Sequence, residues 1–425
     1  MKSLIRYLLI AFLFIPFSPV LSMASHGENI MALAGLVDEA LIANPEIKAS
    51  EARWQTFVQR ARQAGTLEDP MLMLKVQNAL IRDPLAFDRD PMTAKVIGVS
   101  QTLPFFGKRE LQRQSAELDA EASRWSYEER KIELRRMVKE TWYQLFFVDH
   151  ALEVLENSIA TLNDLTRFAE TMYGVGQGLQ QDVLKAQVER SRMEEMRISL
   201  QQQRRSLEAS LNTLLYRPVD TPIPTIAEIE LTPLHTDKTE LEKIAEEHRP
   251  KIRALFAQVE KSKLNRKLGE KEFYPDFTVS LEYMQREPAM DEEGYDMYGA
   301  GVTFNLPLRR DRRQAMIAEA ESDTRMAMEE LNALRSQIRF DIADSLARLE
   351  RNRKLVDLYR DGILPQAAHS LEAAMAAYRV GKADFMNVME SLIAQFNFEH
   401  EYYDAVAEHQ MRLAVLEGVI GKELH

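Results

Sequence analysis

The clearest pattern along the chain is a stripe of apolar residues at spacings of three and four. It is formed by Leu152, Leu155, Ile159, Leu162, Leu165, Ala169 and Met172. This spacing places the residues on one face of a helix and is typical of helices that pair in coiled coils. Because no proline or glycine interrupts residues 108–173, the pattern predicts one helix of about 100 Å from Lys108 to Met172.

A glycine-rich segment, residues 173–178, ends this helix, and the apolar periodicity resumes from Leu179 to Tyr216. The two helical stretches therefore predict a long antiparallel hairpin. A tight reversal needs positive φ, which favours glycine, so we expect Gly176 to form the turn. A second hairpin is predicted from residues 310–377 and 384–420 around Gly381, with a candidate break at Gly362–Pro365.

Strict alternation of apolar and polar residues predicts β-strands between the helical regions. The apolar positions of two strands are Phe277, Val279, Leu281 and Tyr283, and Tyr298, Ala300, Val302 and Phe304. Residues 71–78 and 93–102 have a less regular alternation, and polar loops at 80–91 and 285–294 join each pair. The alternation fits a membrane-facing strand, but one half-buried sheet of a soluble domain also fits it and, on the alternation alone, is the usual interpretation.

The chain repeats itself after about 205 residues. The Asn44-Pro45-Glu46-Ile47 segment matches residues 249–252, and Tyr173-x-Val175-Gly176 matches residues 378–381. Each copy contains a helix, at 44–64 and 250–271, followed by a strand pair and a hairpin. A proline-rich connector separates the copies. We therefore divide the chain into residues 1–24, a first repeat at 25–216, the connector at 217–237, and a second repeat at 238–425.

Composition narrows the functional classes. The formal net charge is −12 and the isoelectric point is near 5.4, which removes the electrostatic basis for a nucleic-acid partner. The chain has no cysteine, so thiol catalysis and thiolate metal sites are excluded. Lys2 and Arg6, the apolar run to Val20 and the small residues Ser22 and Ala24 predict a secretory signal over residues 1–24.

Flanking aromatic residues favour the membrane interpretation of the strands. Phe105 and Phe106 follow the second strand, while Phe273 and Tyr274 precede the third, as expected at a membrane–water interface. We therefore predict a lipid-facing set consisting of Phe277, Val279, Leu281, Tyr298 and Val302. Four strands cannot close a barrel alone, and lipid does not tolerate open sheet edges, so a membrane role requires an oligomer.

The order of elements, with the segment Ser100-Gln101-Thr102-Leu103-Pro104-Phe105-Phe106-Gly107-Lys108-Arg109 and the paired Tyr-x-Val-Gly turns, resembles the TolC family of outer-membrane efflux channels. Residues 67–72, Leu-Glu-Asp-Pro-Met-Leu, look most similar to members that serve heavy-metal exporters. The resemblance implies a mixed α+β, mainly α protein. Its hairpins would build a periplasmic tunnel and its strands a twelve-stranded barrel in a homotrimer. It also implies a periplasmic adaptor and an inner-membrane exporter of the RND type as partners.

The same resemblance assigns roles near the two glycine turns. It implies that Gly176 and Gly381 lie at tips that touch the adaptor, and that Asp182, Tyr378, Asn387 and Glu390 form the tunnel gate. An arginine that links neighbouring chains in that family falls on Ala383 here, beside Lys382, so this part of the gate departs from the family pattern. Solvated polar residues on a helix surface are the alternative interpretation of the same positions.

No catalytic motif is present, and no cofactor or metal site is predicted. His400 and His409 lie nine residues apart among acidic residues, and this spacing points the two imidazoles apart on a helix, so we predict a solvated acidic face. We expect most of the 20 methionines to be core residues. Two alternatives to an efflux channel stay open: a structural coiled-coil protein of the envelope, and a periplasmic adaptor subunit.

Overall fold

The computed structural model describes residues 28–234 and 236–424. The predicted signal segment, residues 1–24, lies outside the described residues. Helices α1–α9 span Glu28–Ala43, Pro45–Ala64, Lys108–Gly174, Gln180–Leu214, Lys238–His248, Pro250–Lys271, Arg310–Leu358, Leu364–Arg379 and Phe385–Ile420. Strands β1–β4 span Met71–Gln77, Ala94–Leu103, Phe277–Arg286 and Met297–Phe304. The fold is mainly helical with one antiparallel sheet, which confirms the predicted fold class.

The sheet joins the two repeats edge to edge in the order β1-β2-β3-β4. The central pairing joins β2 of the first repeat to β3 of the second, with Val99 opposite Leu281 and Gln101 opposite Val279. Strands β1 and β4 each pair on one side only within the chain. The sheet therefore has two open edges, one contributed by each repeat.

Each repeat begins with two consecutive helices, of which the sequence analysis identified only the second. Helices α1 and α5 end at Ala43 and His248, and a single residue separates each from the next helix. Asn44 makes the first break by accepting a hydrogen bond from the Glu46 amide, 2.8 Å away. This is a side-chain cap followed by proline at the first helical position, as the sequence predicts.

The predicted break near Gly362 is instead a turn of π-helix over Tyr359–Ile363, which connects α7 to α8 without ending the helical path. Pro365 lies in the first turn of α8, where a missing amide hydrogen costs little. The prediction of an interruption was therefore placed correctly but was wrong in kind. The corresponding helix of the first repeat, α3, runs for 67 residues without interruption.

Three clusters of buried residues form the core. One unites the outer parts of both hairpins and includes Leu162, Leu200 and Phe396. A second packs α1, α3 and α9 around Phe146 and Trp142, and a third packs α5, α7 and α9 around Ile342 and Leu416. The prediction that most methionines are core residues was wrong: Met193 and Met389 are buried, but many others are exposed.

Candidate functional site

The two hairpin tips share one turn geometry. Gly176 has φ of 73° and Gly381 has φ of 72°, and their amides donate to the carbonyls of Tyr173 and Tyr378 at 3.0 Å. No atom lies within 4 Å of a Cβ built on either glycine. The requirement for glycine is therefore conformational and does not come from crowding.

The structure brings Tyr378 of the second repeat against the first repeat. Its ring packs edge-on to Phe168 of α3, with ring centroids 5.4 Å apart, and to Phe385 of α9 at 5.6 Å. Only 9% of Tyr378 is exposed. Burial raises the pKa of the Tyr378 hydroxyl, and the nearby negative charge of Asp182 raises it further. Among the described residues no hydrogen bond joins the hydroxyl to Asp182.

The remaining gate candidates lie on the accessible sides of α4 and α9. Asn387 and Glu390 are exposed, and Asp182 on α4 is partly exposed. The sequence analysis missed their neighbour Lys185, whose Nζ lies 3.1 Å from Sδ of Met386 and so links α4 to α9. Lys185 places a positive charge beside the predicted acidic positions, and only its spacing of three from Asp182 signals this in the sequence.

An apolar groove runs between α4 and α9 just behind the tips. It has a volume of about 440 Å³ and is lined by Leu184, Val188, Met386, Met389 and Ile393. The tips also expose large apolar side chains: Val175 is 64% exposed, Leu179 is 65% exposed and Val380 is 67% exposed. The groove and these exposed side chains together give the tips an apolar surface.

One face of the sheet carries all five residues predicted to face lipid. Val279 pairs with Val302, Phe277 with Phe304, and Tyr283 with Tyr298, and residues paired across strands share a face. On β2 the same face carries Ile97 and Val99, which are 47% and 50% exposed, whereas Val96 and Gly98 on the other face are buried. The apolar face, called the outer face below, is thus the more exposed face of the sheet.

Polar groups fix the junction between sheet and helices. Lys108, at the start of α3, is 2% exposed and its Nζ lies 3.0 Å from Asp276 and 3.3 Å from Glu272. The Asp276 carboxylate also accepts a hydrogen bond from the Phe105 amide at 2.7 Å. The Phe105 ring stacks on Tyr274 with centroids 4.5 Å apart, so the flanking aromatics form a cluster at this end of the sheet.

The interpretation of His409 as part of a solvated face was wrong. His409 is 4% exposed, because connector residues near Glu230 cover α7 and α9 and enclose with them a cavity of about 860 Å³. Burial lowers the pKa of His409 to about 4, and the charge of Arg353 contributes in the same direction. Nδ1 of His409 is buried and has no hydrogen-bond partner among the residues that the structure describes.

Two other features, a metal-binding cluster and a membrane-spanning helix, are not found in residues 28–234 and 236–424. In these ranges no cluster of three or more histidine, aspartate or glutamate side chains is arranged to hold a metal ion. No helix of the described chain combines the length and apolar character needed to cross a membrane.

Fold and surface together define a class of protein, one in which a small sheet with an apolar outer face is carried on long helical hairpins. Comparison with known proteins identifies the family. The chain belongs to the outer membrane efflux protein family, whose model matches it twice, at residues 36–215 and 241–422. It is therefore the outer-membrane channel component of an efflux system, and the adaptor and coiled-coil alternatives are set aside.

Individual relatives are distant in sequence but similar over most of their length. The chain is 22% identical over 334 residues to the cobalt-zinc-cadmium resistance protein CzcC of Cupriavidus metallidurans, covering 74% of each chain. It superposes on the outer membrane protein VceC of Vibrio cholerae with a TM-score of 0.79 and 18% identity, covering 93% of this chain and 97% of VceC. The Neisseria gonorrhoeae MtrE channel gives a TM-score of 0.75 at 16% identity, covering 92% and 89%.

Proposed function

We propose that this channel is a homotrimer that exports divalent metal cations received from a periplasmic adaptor and an inner-membrane pump. The observation that carries the trimer is the sheet. Its outer face is apolar, and β1 and β4 are unpaired on their outer sides within the chain. Unpaired edges in lipid leave amide and carbonyl groups without partners at several kcal/mol each. Three chains provide twelve strands, which close the edges and leave an open lumen.

The choice of cargo rests on the likeness to CzcC, a protein named for resistance to cobalt, zinc and cadmium. The formal charge of −12 supports it, because a negative chain raises the local concentration of cations. An acidic mouth formed by Asp182 and Glu390 in three copies would favour cation entry in the same way. No step in this transport requires catalysis by the chain.

The gate and the tips complete the proposal. We assign Asp182, Tyr378, Asn387 and Glu390 to the tunnel mouth, with Tyr378 donating a hydrogen bond to Asp182 when the trimer closes. The support is the burial of Tyr378 against α3 and the effect of the Asp182 charge on its pKa. We assign Gly176 and Gly381 to the adaptor contact, supported by the exposed apolar side chains beside both turns.

Measuring cellular metal tests the cargo. Cells lacking this channel and complemented with the wild-type chain should retain less cobalt, zinc and cadmium than cells carrying an empty vector. Cells complemented with Val279→Pro, which interrupts a central strand, should retain as much metal as the vector control. Equal metal content in all three strains would contradict a metal cargo, while purified trimers from the wild type would still support the channel assembly.

A further inference from the structure

A cluster of arginines lies directly after the sheet, where the chain leaves β4 and enters α7. Arg309, Arg310, Arg312 and Arg313 surround Asp311. Four positive charges and one negative charge leave a net charge of +3 on this segment, in a chain whose formal charge is −12. Arg309, Arg310 and Arg312 are exposed. A dense basic surface on an acidic protein favours an anionic partner.

The chain itself does not neutralise three of these arginines. Among the residues that the structure describes, the guanidinium groups of Arg309, Arg310 and Arg312 have no ion pair and no hydrogen-bond acceptor. Arg313 differs, because it donates to the backbone carbonyls of Glu272 and Arg309. The charge of the other three is therefore available to a partner outside the chain.

The corresponding segment of the first repeat is held by the protein. Residues 103–104 and 306–307 are both Leu-Pro, and this match aligns Arg109 with Arg312. Arg109 donates from Nη2 to the carbonyl of Gly65 at 2.7 Å. A basic side chain at this position is thus bound within the chain in the first repeat and left open in the second.

The arginines lie close to the end of the membrane-facing strand. Phe304, the last residue of β4, is on the outer face of the sheet. The Leu308 amide donates to the Leu306 carbonyl at 2.8 Å and the Arg310 amide to the Leu308 carbonyl at 3.0 Å, so the intervening chain is tightly turned. Leu306 and Leu308 are 66% and 80% exposed. Apolar side chains followed by basic ones are expected where a chain passes from hydrocarbon into the headgroup layer, which is about 5–8 Å deep.

We propose that Arg309, Arg310 and Arg312 bind the phosphate groups of anionic phospholipids in the periplasmic leaflet of the outer membrane. A guanidinium can donate two parallel hydrogen bonds to phosphate oxygens, which suits arginine to this headgroup. Each basic residue near an anionic lipid surface raises affinity by about fivefold. The inference depends on insertion of the sheet into the outer membrane and is independent of the metal cargo.

The start of β1 offers a different partner for the arginines. Glu68 and Asp69 are exposed, and in a closed trimer they would lie at the same end of the barrel as the arginines of the neighbouring chain. Two carboxylates cannot neutralise three arginines, and ion pairs between exposed side chains contribute little. The exposed leucines beside the arginines fit a lipid surface better than a pair of carboxylates.

Native mass spectrometry of the purified full-length channel tests the lipid site. Protein stripped of lipid is titrated with phosphatidylglycerol and phosphatidylcholine of the same acyl chains, and the bound lipids are counted. The wild type should bind phosphatidylglycerol more tightly. Combining Arg309→Gln, Arg310→Gln and Arg312→Gln should weaken phosphatidylglycerol binding by about 100-fold and leave phosphatidylcholine binding unchanged. Inorganic phosphate should not displace the lipid.

The matched control removes three exposed arginines farther along α7, by Arg325→Gln, Arg339→Gln and Arg353→Gln. Arg325 lies about 22 Å along the helix from Arg310, beyond the headgroup layer. The control should bind phosphatidylglycerol as the wild type does. Equal binding by the wild type and the variant at 309, 310 and 312 would overturn the proposal, as would displacement of the lipid by inorganic phosphate.

A second variant, Glu68→Gln with Asp69→Asn, separates lipid from the neighbouring chain as the partner. If the arginines bind lipid, this variant should stay trimeric on native gels and keep the preference for phosphatidylglycerol. Dissociation of both this variant and the arginine variant into monomers would assign the arginines to the neighbouring chain and overturn the lipid site.

Discussion

The two repeats have the same elements, but the connector packs against each of them through different side-chain chemistry. In the first repeat, Arg204 lies 2.5 Å from buried Asp149, which also accepts a hydrogen bond from the Ile226 amide. The position 205 residues after Arg204 is His409, which is buried and neutral, and the partner position is the exposed Lys354. A connector that crosses both repeats is therefore held by charge on one side and covers an uncharged ring on the other.

The long helices of the two repeats also differ, in their backbone geometry. Helix α3 is continuous, whereas the second repeat contains the π-helical turn at Tyr359–Ile363. Beside this turn the Tyr359 hydroxyl donates to Glu401 at 2.6 Å, where the first repeat has Val154 and Met196. Turns of π-helix inside α-helices frequently occur at functional sites. The departure from regular α-helix geometry in these long helices therefore lies in the second repeat, while α3 of the first repeat is continuous.

Matched residues at the two hairpin tips also differ in exposure and in chemistry. Tyr173 is 48% exposed, while its counterpart Tyr378 is 9% exposed and packs against the first repeat. Asp182 and Lys185 of the first repeat correspond to Asn387 and Glu390 of the second. The gate we propose is thus made from unlike residues at matched positions, which gives each test a natural control.

The largest effect is expected at the seam between the repeats in the sheet. Val279 lies on β3 between Gln101 of β2 and Val302 of β4. Val279→Pro should abolish insertion into the outer membrane, because it removes a backbone donor where lipid offers no replacement. Leu85→Pro, in an exposed loop, is the control. Equal recovery of both variants in the outer-membrane fraction would contradict a membrane-inserted sheet.

The starts of α2 and α6 offer a direct contrast. Arg249 replaces the capping residue Asn44, and its guanidinium lies 2.5 Å from buried Glu129. Arg249→Met should lower the free energy of unfolding by about 3–5 kcal/mol, since it leaves a buried carboxylate unpaired. Asn44→Ala should cost about 1 kcal/mol. Both are measured by thermal melting in detergent, and equal costs would contradict the contrast.

The loss of unfolding free energy caused by Arg249→Met should be smaller at acid pH than at neutral pH. Burial raises the pKa of Glu129 even with Arg249 present, so its neutral form favours the folded state. Stability from that neutral form is present at low pH and is lost as the pH rises through the folded pKa. The difference in melting temperature between the Arg249→Met variant and the wild type should therefore decrease as the pH falls.

His409 should make the protein acid-sensitive. Its pKa is about 4 in the folded protein and near 6.5 when unfolded, so the neutral ring contributes stability above pH 6.5 that is lost as the pH falls through 4. The loss amounts to about 3 kcal/mol. His409→Gln should remove this dependence from melting temperatures measured between pH 7 and 4. An unchanged pH profile would show that the ring is accessible to protons without unfolding.

Gate variants should have the smallest effects. Tyr378→Phe removes a hydrogen bond worth about 1 kcal/mol in each chain, so the closed trimer should leak in planar-bilayer recordings, whereas Tyr173→Phe should not. Glu390→Gln should weaken cation selectivity with little change in stability. Wild-type conductance and ion preference in the Tyr378 and Glu390 variants would contradict the assignment of these two residues to the gate.

Periodicity predicted much of the fold. The bounds of α2, α6 and all four strands lie within a few residues of the predicted ones, because apolar alternation and end signals such as Asn44-Pro45 act locally. Helices α1 and α5 were missed. Helix α5, with the sequence KTELEKIAEEH, is mostly polar and directly follows the proline-rich connector, so its stability depends on packing against α7 and α9 that the sequence does not display.

The site was less accessible to sequence analysis. His409 and Lys185 acquire their environments from the connector and from α9, which are distant in sequence. The exposed methionines were misassigned because helical spacing does not apply to a strand, where Met71 and Met73 alternate with Leu72 on opposite faces. Tip turns were predictable because positive φ at glycine is a local requirement.

Closure of the barrel by β1 of one chain and β4 of the next is the central claim, and disulfide formation tests it most directly. The natural chain has no cysteine, so Leu72→Cys can be combined in turn with Tyr298→Cys, Ala300→Cys and Val302→Cys on the same outer face. We expect one pairing to give covalent trimers on non-reducing gels, with each single variant remaining uncrosslinked. Only monomers across all three pairings, with the protein correctly inserted, would contradict closure between subunits.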